Sequence, residues 1–155
     1  MGTLEDRLHG DMVAAMKARD TTLTSTLRMA IAALKNEKVA GKEARELSED
    51  DEVKVLQREV RTRKDSAQAY TDGGRPELAA KELAEADVIG AYLPAMLADA
   101  DLDALVAEEV TAAEAAAGEK PTMRQMGQII KAVNARAAGR AEGSAIAARV
   151  KAALA

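Results

Sequence analysis

Residues 120–155 hold seven cations, Lys120, Arg124, Lys131, Arg136, Arg140, Arg149 and Lys151, against Glu142 alone, a local charge of +6. Guanidinium and ammonium groups at that density suit phosphate contact, the first through paired N–H donors and the second as a point charge. The whole chain carries −4. A basic segment on an acidic protein is the footprint of a nucleic-acid or phosphate surface. Glycines accompany these cations. Gly127 stands near the start of a helical pattern, where backbone could approach a ligand or a neighbouring helix could pack closely. Gly139 and Gly143 enclose the turn Gly139-Arg140-Ala141-Glu142-Gly143, which could present N–H groups and Arg140 to a phosphate. It is not a P-loop, because GxxxxGK[ST] is absent. The candidate contacts are Lys131 and Arg140 first, then Arg136 and Lys151. Arg149 ranks last, because it follows Ile146 by three residues and lies near an apolar stripe. Lys131 and Arg136 are five residues apart, about 140° round a helix, so the helix alone does not set them side by side. Residues 95–119 carry −7 with no Lys or Arg. Pairing of the basic face with that acidic helix is the alternative reading. Arg58, Arg61, Arg63 and Lys64 form a second cationic cluster.

Catalytic chemistry finds little to work with. The absence of Cys rules out disulfides, thiol catalysis and Cys-based zinc sites. His9 is the one histidine and reads as a surface residue. No metal and no cofactor is expected. Of the four serines, Ser25, Ser48, Ser66 and Ser144, Ser48 and Ser144 look like helix caps, and none lies in a nucleophile loop. Glu49 to Glu52 read as first-turn anions of a helix. The methionines read as core fillers. No catalytic residue is assigned.

The elements that must carry these residues are all helical. The 36 Ala, about 23% of the chain, with no Phe, no Trp and two Tyr, favour helices over sheets. Leu4, Leu8, Met12 and Met16 mark a first helix over 3–19, with Thr3 and Asp6 as a capping box. Leu23, Leu27, Ala30, Ile31 and Leu34 mark a second, ended by Gly41. Ser48 caps a third, whose inward face is Val53, Leu56, Val60, Ala67 and Tyr70. Pro76 opens a fourth, lined by Leu78, Leu83, Ala86, Ile89 and Leu93. Gly90 within it reads as close helix packing. Pro94 breaks the pattern. The expected organisation is residues 1–93, a hinge at 94–101, and a three-helix part at 102–155. Leu102, Leu105, Val106 and Val110 form the fifth helix, ended by Gly118. Thr122 and Gln125 box the sixth, carrying Met126, Ile129, Ile130 and Val133. Ile146, Val150 and Leu154 define the seventh. The expectation is an all-α chain of seven helices.

Four motifs in register resemble one family. They are Leu27-Arg28-Met29 with Ala33-Leu34-Lys35-Asn36-Glu37; Leu47-Ser48-Glu49-Asp50-Asp51-Glu52-Val53 leading to Arg63-Lys64-Asp65-Ser66; Tyr92-Leu93-Pro94; and Met126-Gly127 with the Gly139–Gly143 turn. Together they look like the GatB/YqeY family, stand-alone YqeY-like proteins in particular. The resemblance implies an all-helical fold in two parts. The second part is similar to the tail of the B subunit of the glutamine-dependent aminoacyl-tRNA amidotransferase, which helps hold tRNA. It thus implies tRNA as ligand of residues 95–155, and an amidotransferase or tRNA-synthetase as a partner protein. The family label is carbon–nitrogen ligase with glutamine as amido-N-donor, but the parent's catalytic domain is absent, so no autonomous enzyme is expected. A protein-interaction module with no RNA role, using the first four helices, is the competing reading. The family turn usually reads Gly-Arg-Ala-Asp-Gly. Here Glu142 replaces the Asp, a poorer cap, and Ser144 is expected to cap the last helix instead.

No run of 18 apolar residues suggests a membrane span. The Met-Gly start lacks the Ser or Thr that lipidation needs, having Asp6 there, and no secretory leader is seen. The expected location is the cytoplasm.

Overall fold

The computed structural model describes residues 3–155. The Met-Gly start lies outside them. The chain is 76% helical, and no strand occurs among the described residues, so the all-α expectation holds. Seven α-helices follow in order: α1 Leu4–Lys17, α2 Thr21–Lys38, α3 Glu49–Asp72, α4 Pro76–Gly90, α5 Asp99–Ala117, α6 Met126–Ala137 and α7 Gly143–Leu154. A 3-10 turn, Met123–Gln125, leads into α6. The chain divides into two compact units, one up to Leu93 and one from Pro94 on.

Side chains that satisfy free N–H groups set the starts of α1, α2, α3 and the 3-10 turn. Thr3 Oγ1 accepts from Asp6 N–H at 3.3 Å, and Asp6 accepts from Thr3 N–H in return. Ser48 and Asp51 exchange the same pair of bonds at 3.1 and 3.2 Å. Asp20 caps α2 through Leu23 N–H at 3.0 Å. Gln125 accepts from Thr122 N–H at 2.7 Å before α6. Each cap contributes about 1 kcal/mol. At the end of α5, Gly118 takes φ 76°, which a side chain would resist. The end of α1 makes the same kind of turn without glycine. Asp20 N–H reaches Ala15 C=O at 2.9 Å and Arg19 N–H reaches Met16 C=O at 3.1 Å. Arg19, at φ 59°, holds the left-handed position where glycine is usual, at a cost of about 1–2 kcal/mol.

In the first unit Leu4 and Leu8 of α1, Leu27, Ala30, Ile31 and Leu34 of α2, Val55 and Leu56 of α3 and Ile89 of α4 form one core. Full burial of each large side chain contributes roughly 1.5–3 kcal/mol. In the second unit Leu102 and Val106 of α5, Ile129, Val133 and Ala137 of α6, and Ile146 and Val150 of α7 form the other. The stripes of α1, α4 and α3 run narrower than expected. Met16 is 51% and Leu83 46% exposed, and Tyr70 also faces outward. Ala79, Glu85, Ala86 and Ile89 make the buried face of α4; Leu83 lies about 60° round from Ala86, beyond its edge. Helix α2 ends at Lys38, before Gly41.

Two polar expectations and one about glycine change. Glu52, read as a first-turn anion, is buried, and its Oε2 accepts from Glu5 N–H at 3.0 Å. Its other oxygen has no hydrogen-bond partner among the described residues. Arg63, read as part of a surface cluster, is buried against Glu85. Its neighbour Arg58 pairs with Glu37 at 3.0 Å. Gly90 and Gly127 were expected at close helix contacts, yet a Cβ at either would meet nothing within 4 Å.

Candidate nucleic-acid interface

The basic segment runs from the connection after α5 through the 3-10 turn, α6, the α6–α7 turn and α7, and most of the acidic segment is α5. Much of the charge is used between these elements. Asp99 and Asp103 are four residues apart and share one face of α5. Arg149 of α7 donates from Nε to Asp103 at 2.7 Å and from Nη2 to Asp99 at 3.1 Å. Glu108 and Glu109 receive Arg136 of α6 at 2.6 and 3.3 Å. The Glu108 hydrogen bond, then that of Glu109, raises the Arg136 pKa above its usual value. For Arg136 and Arg149 the geometry is therefore the pairing with the acidic helix that the charge pattern left open.

Arg140 acts on the backbone. Its Nε–H donates to Ala95 C=O at 2.7 Å. Its own C=O accepts from Leu97 N–H at 2.8 Å, and its N–H donates to Ala137 C=O at 2.9 Å. These bonds fasten residues 95–97, ahead of α5, to the α6–α7 turn. The turn itself is made by Ala138 at φ 50° and Gly139 at φ 80°. Gly143 is the first residue of α7 and Glu142 its N-cap, with no side-chain cap bond. Ser144 lies inside the helix, so it does not cap it as expected.

Lys131 and Lys151 differ from the arginines. Both are exposed, and among the described residues neither has an ion pair. Lys131 follows Gly127 by four residues, so the two lie on one face of α6, opposite Ile129 and Val133. Gly127 is exposed and leaves the backbone uncovered one turn before the ammonium. Lys120 and Arg124 are likewise exposed and without an ion pair among the described residues. They line a recess of about 250 Å³ with Pro121 and Thr122. Sequence reasoning counted these two in the local charge but did not single them out. Their signal was position, in the connection between the acidic and basic helices. The structure thus separates the seven cations into three arginines engaged within the unit and four side chains directed to solvent. It does not bring Arg136 and Lys131 onto one face.

Among the described residues no group of three His, Cys, Asp or Glu side chains is arranged to hold a metal ion. No helix among them is long and apolar enough to cross a membrane.

Comparison with known proteins matches residues 5–154 to the Yqey-like protein family, YqeY. Curated relatives include "Altered inheritance of mitochondria protein 41, mitochondrial" of Saccharomyces cerevisiae, from strains YJM789 and S288c. Each is 34% identical over 117 residues, covering 73% of this chain and 62% of the relative. The match therefore spans less than two thirds of the yeast proteins' length. The expected cytoplasmic location is overturned by these relatives, whose name places them in mitochondria.

Proposed function

This chain belongs to the Yqey-like protein family, and on that premise we propose that it is a tRNA-binding accessory module rather than an autonomous enzyme. Its place would be beside glutamine-dependent amide transfer, with an amidotransferase or tRNA-synthetase subunit as protein partner. A mitochondrial setting, carried over from the yeast relatives, goes with it. The observation that supports RNA contact most is the division among the cations of the second unit. Arg136, Arg140 and Arg149 are held by α5 and its lead-in, while Lys120, Arg124, Lys131 and Lys151 are exposed. Exposed ammonium groups without a carboxylate partner have only water and salt to displace when a phosphate arrives. Lys131 with the open backbone at Gly127, and Lys151, are the residues assigned to the backbone phosphates. The guanidinium end of Arg140 beyond Nε adds a third contact at the glycine turn.

Filter binding of total tRNA to the intact chain tests this reading. Lys131→Gln should weaken binding several-fold at unchanged helix content. Arg136→Gln should lower thermal stability and leave affinity within about twofold. Equal affinity for the parent chain and Lys131→Gln would remove Lys131 from the reading. No binding by the parent, together with capture of a protein partner by the first four helices, would favour the protein-interaction module.

A further inference from the structure

We infer that the recess where α1 ends and α2 begins is a binding site for a phosphate-bearing ligand. It lies in the first unit and does not depend on the reading given to residues 94–155. The recess has a volume of about 500 Å³ and is walled by Met16, Arg19, Thr21, Thr24, Ser25 and Arg28.

Three independent features converge there. Thr21, Thr24, Ser25 and Arg28 follow the spacing of a single helix face, so α2 offers hydroxyls at one end of the recess and a guanidinium one turn along. Arg28 belongs to the Leu27-Arg28-Met29 motif, which the basic-face reading leaves without a role. It is exposed and has no ion pair among the described residues. Arg19 supplies the second guanidinium. It too is exposed and without an ion pair among the described residues, and it stands at φ 59°, where glycine would close the same turn more easily. A residue kept in a strained position points to a use for its side chain. Asp20, the nearest carboxylate in sequence, is turned to Leu23 N–H and is not among the walls. The Thr24 hydroxyl is already bonded to Asp20 C=O at 2.7 Å, which leaves Thr21 and Ser25 as the hydroxyl donors.

Two guanidiniums able to give paired N–H bonds, two hydroxyls, and the apolar Met16 side chain as one wall match a phosphoryl group joined to a less polar body. That group could come from a small phosphorylated molecule or from a nucleic-acid backbone, and the same chemistry holds either.

The test is a titration of the intact chain followed by NMR at constant ionic strength, once with inorganic phosphate and once with a twelve-nucleotide single-stranded RNA. Lys131→Gln/Lys151→Gln is the background for the RNA arm, which lowers the second unit's contribution. The Arg19 and Arg28 Nε–H signals and the amides of Thr21 and Ser25 should shift together and saturate. Arg19→Gly relieves the backbone, so it should melt at or above the parent temperature while weakening binding at least tenfold. Arg28→Gln should weaken it similarly. Saturation by phosphate with no response to RNA assigns a small phosphorylated ligand; tighter response to RNA assigns a backbone phosphate. Absence of saturable shifts in both arms, or shifts that persist in Arg19→Gly/Arg28→Gln, would overturn the site.

Discussion

Arg63 carries a full charge into the first unit. Its Nε lies 3.3 Å from Glu85 Oε2, and its Nη1 lies 3.2 Å from Glu59 C=O and 3.3 Å from the Glu59 carboxylate. The Arg63 and Glu85 side chains are only 9% and 11% exposed. Breaking such a pair from one side strands a buried charge, at roughly 3–5 kcal/mol, whereas replacing both partners with apolar residues is often close to neutral. Arg63→Met should lower the unfolding free energy obtained from urea denaturation by an amount in that range, and Arg63→Met/Glu85→Leu should recover most of it. A double variant no more stable than the single would contradict this account. Arg63 was legible in part: it follows Leu56 by seven residues and so shares its stripe, but its neighbours Arg58, Arg61 and Lys64 made it look like surface. Tyr92 gives a second residue-scale test. Burial first, then its O–H donated to Asp11, pushes the phenol up to about 12, against a smaller opposing effect of Arg7. Arg7 lies 5.1 Å from the ring centre. A raised folded-state pKa means the stabilisation is complete below the unfolded value of about 10. It is lost as pH rises through about 12, as linkage requires. In a Tyr70→Phe background, alkaline absorbance titration should find the Tyr92 midpoint near 12; a midpoint near 10 would sink the claim.

At the scale of elements, the helix starts were the most legible feature and the buried faces the least. Thr3 and Ser48 cap where their residue types said they would, and Thr122 with Gln125 boxes the 3-10 turn that leads into α6, because capping is local chemistry. Leu83 of α4, expected inside, is exposed while Glu85 is buried, because which face turns inward is decided by the partner helix. Glu52 was hidden by the same problem: within a run of four acids, three cap or face water and one turns in toward α1. Helix α7, like α4, α5 and α6, starts without a side-chain cap bond. Glu142 at its N-cap makes no side-chain cap bond, one methylene longer than the Asp of the family turn. Glu142→Asp should bring a carboxylate within reach of the free N–H groups and stabilise the chain by about 0.5–1 kcal/mol. A thermal midpoint that stays level or falls would contradict the capping argument.

At the scale of the whole molecule, two separate cores imply two cooperative units. Amide hydrogen exchange should therefore give two groups of slow amides, centred on Leu27, Leu56 and Ile89 in one and on Val106, Val133 and Ile146 in the other. Arg140→Ala should accelerate exchange in the second group alone, because the bond it removes, to Ala95 C=O, lies within that unit. One common exchange free energy for both groups would contradict the division. The basic segment itself was visible as a charge count, but its sorting into engaged and solvent-facing cations was not. That sorting depends on where α5 places Asp99, Asp103, Glu108 and Glu109, which only the packed helices reveal. The central claim is that the solvent-facing set meets RNA phosphates, and the salt dependence of tRNA binding measures it most directly. For the intact chain, log affinity should fall linearly with log salt, and Lys131→Gln/Lys151→Gln should reduce that slope by roughly 1.5–2 units. An unchanged slope in the double variant, or no measurable tRNA binding by the parent chain at low salt, would contradict it.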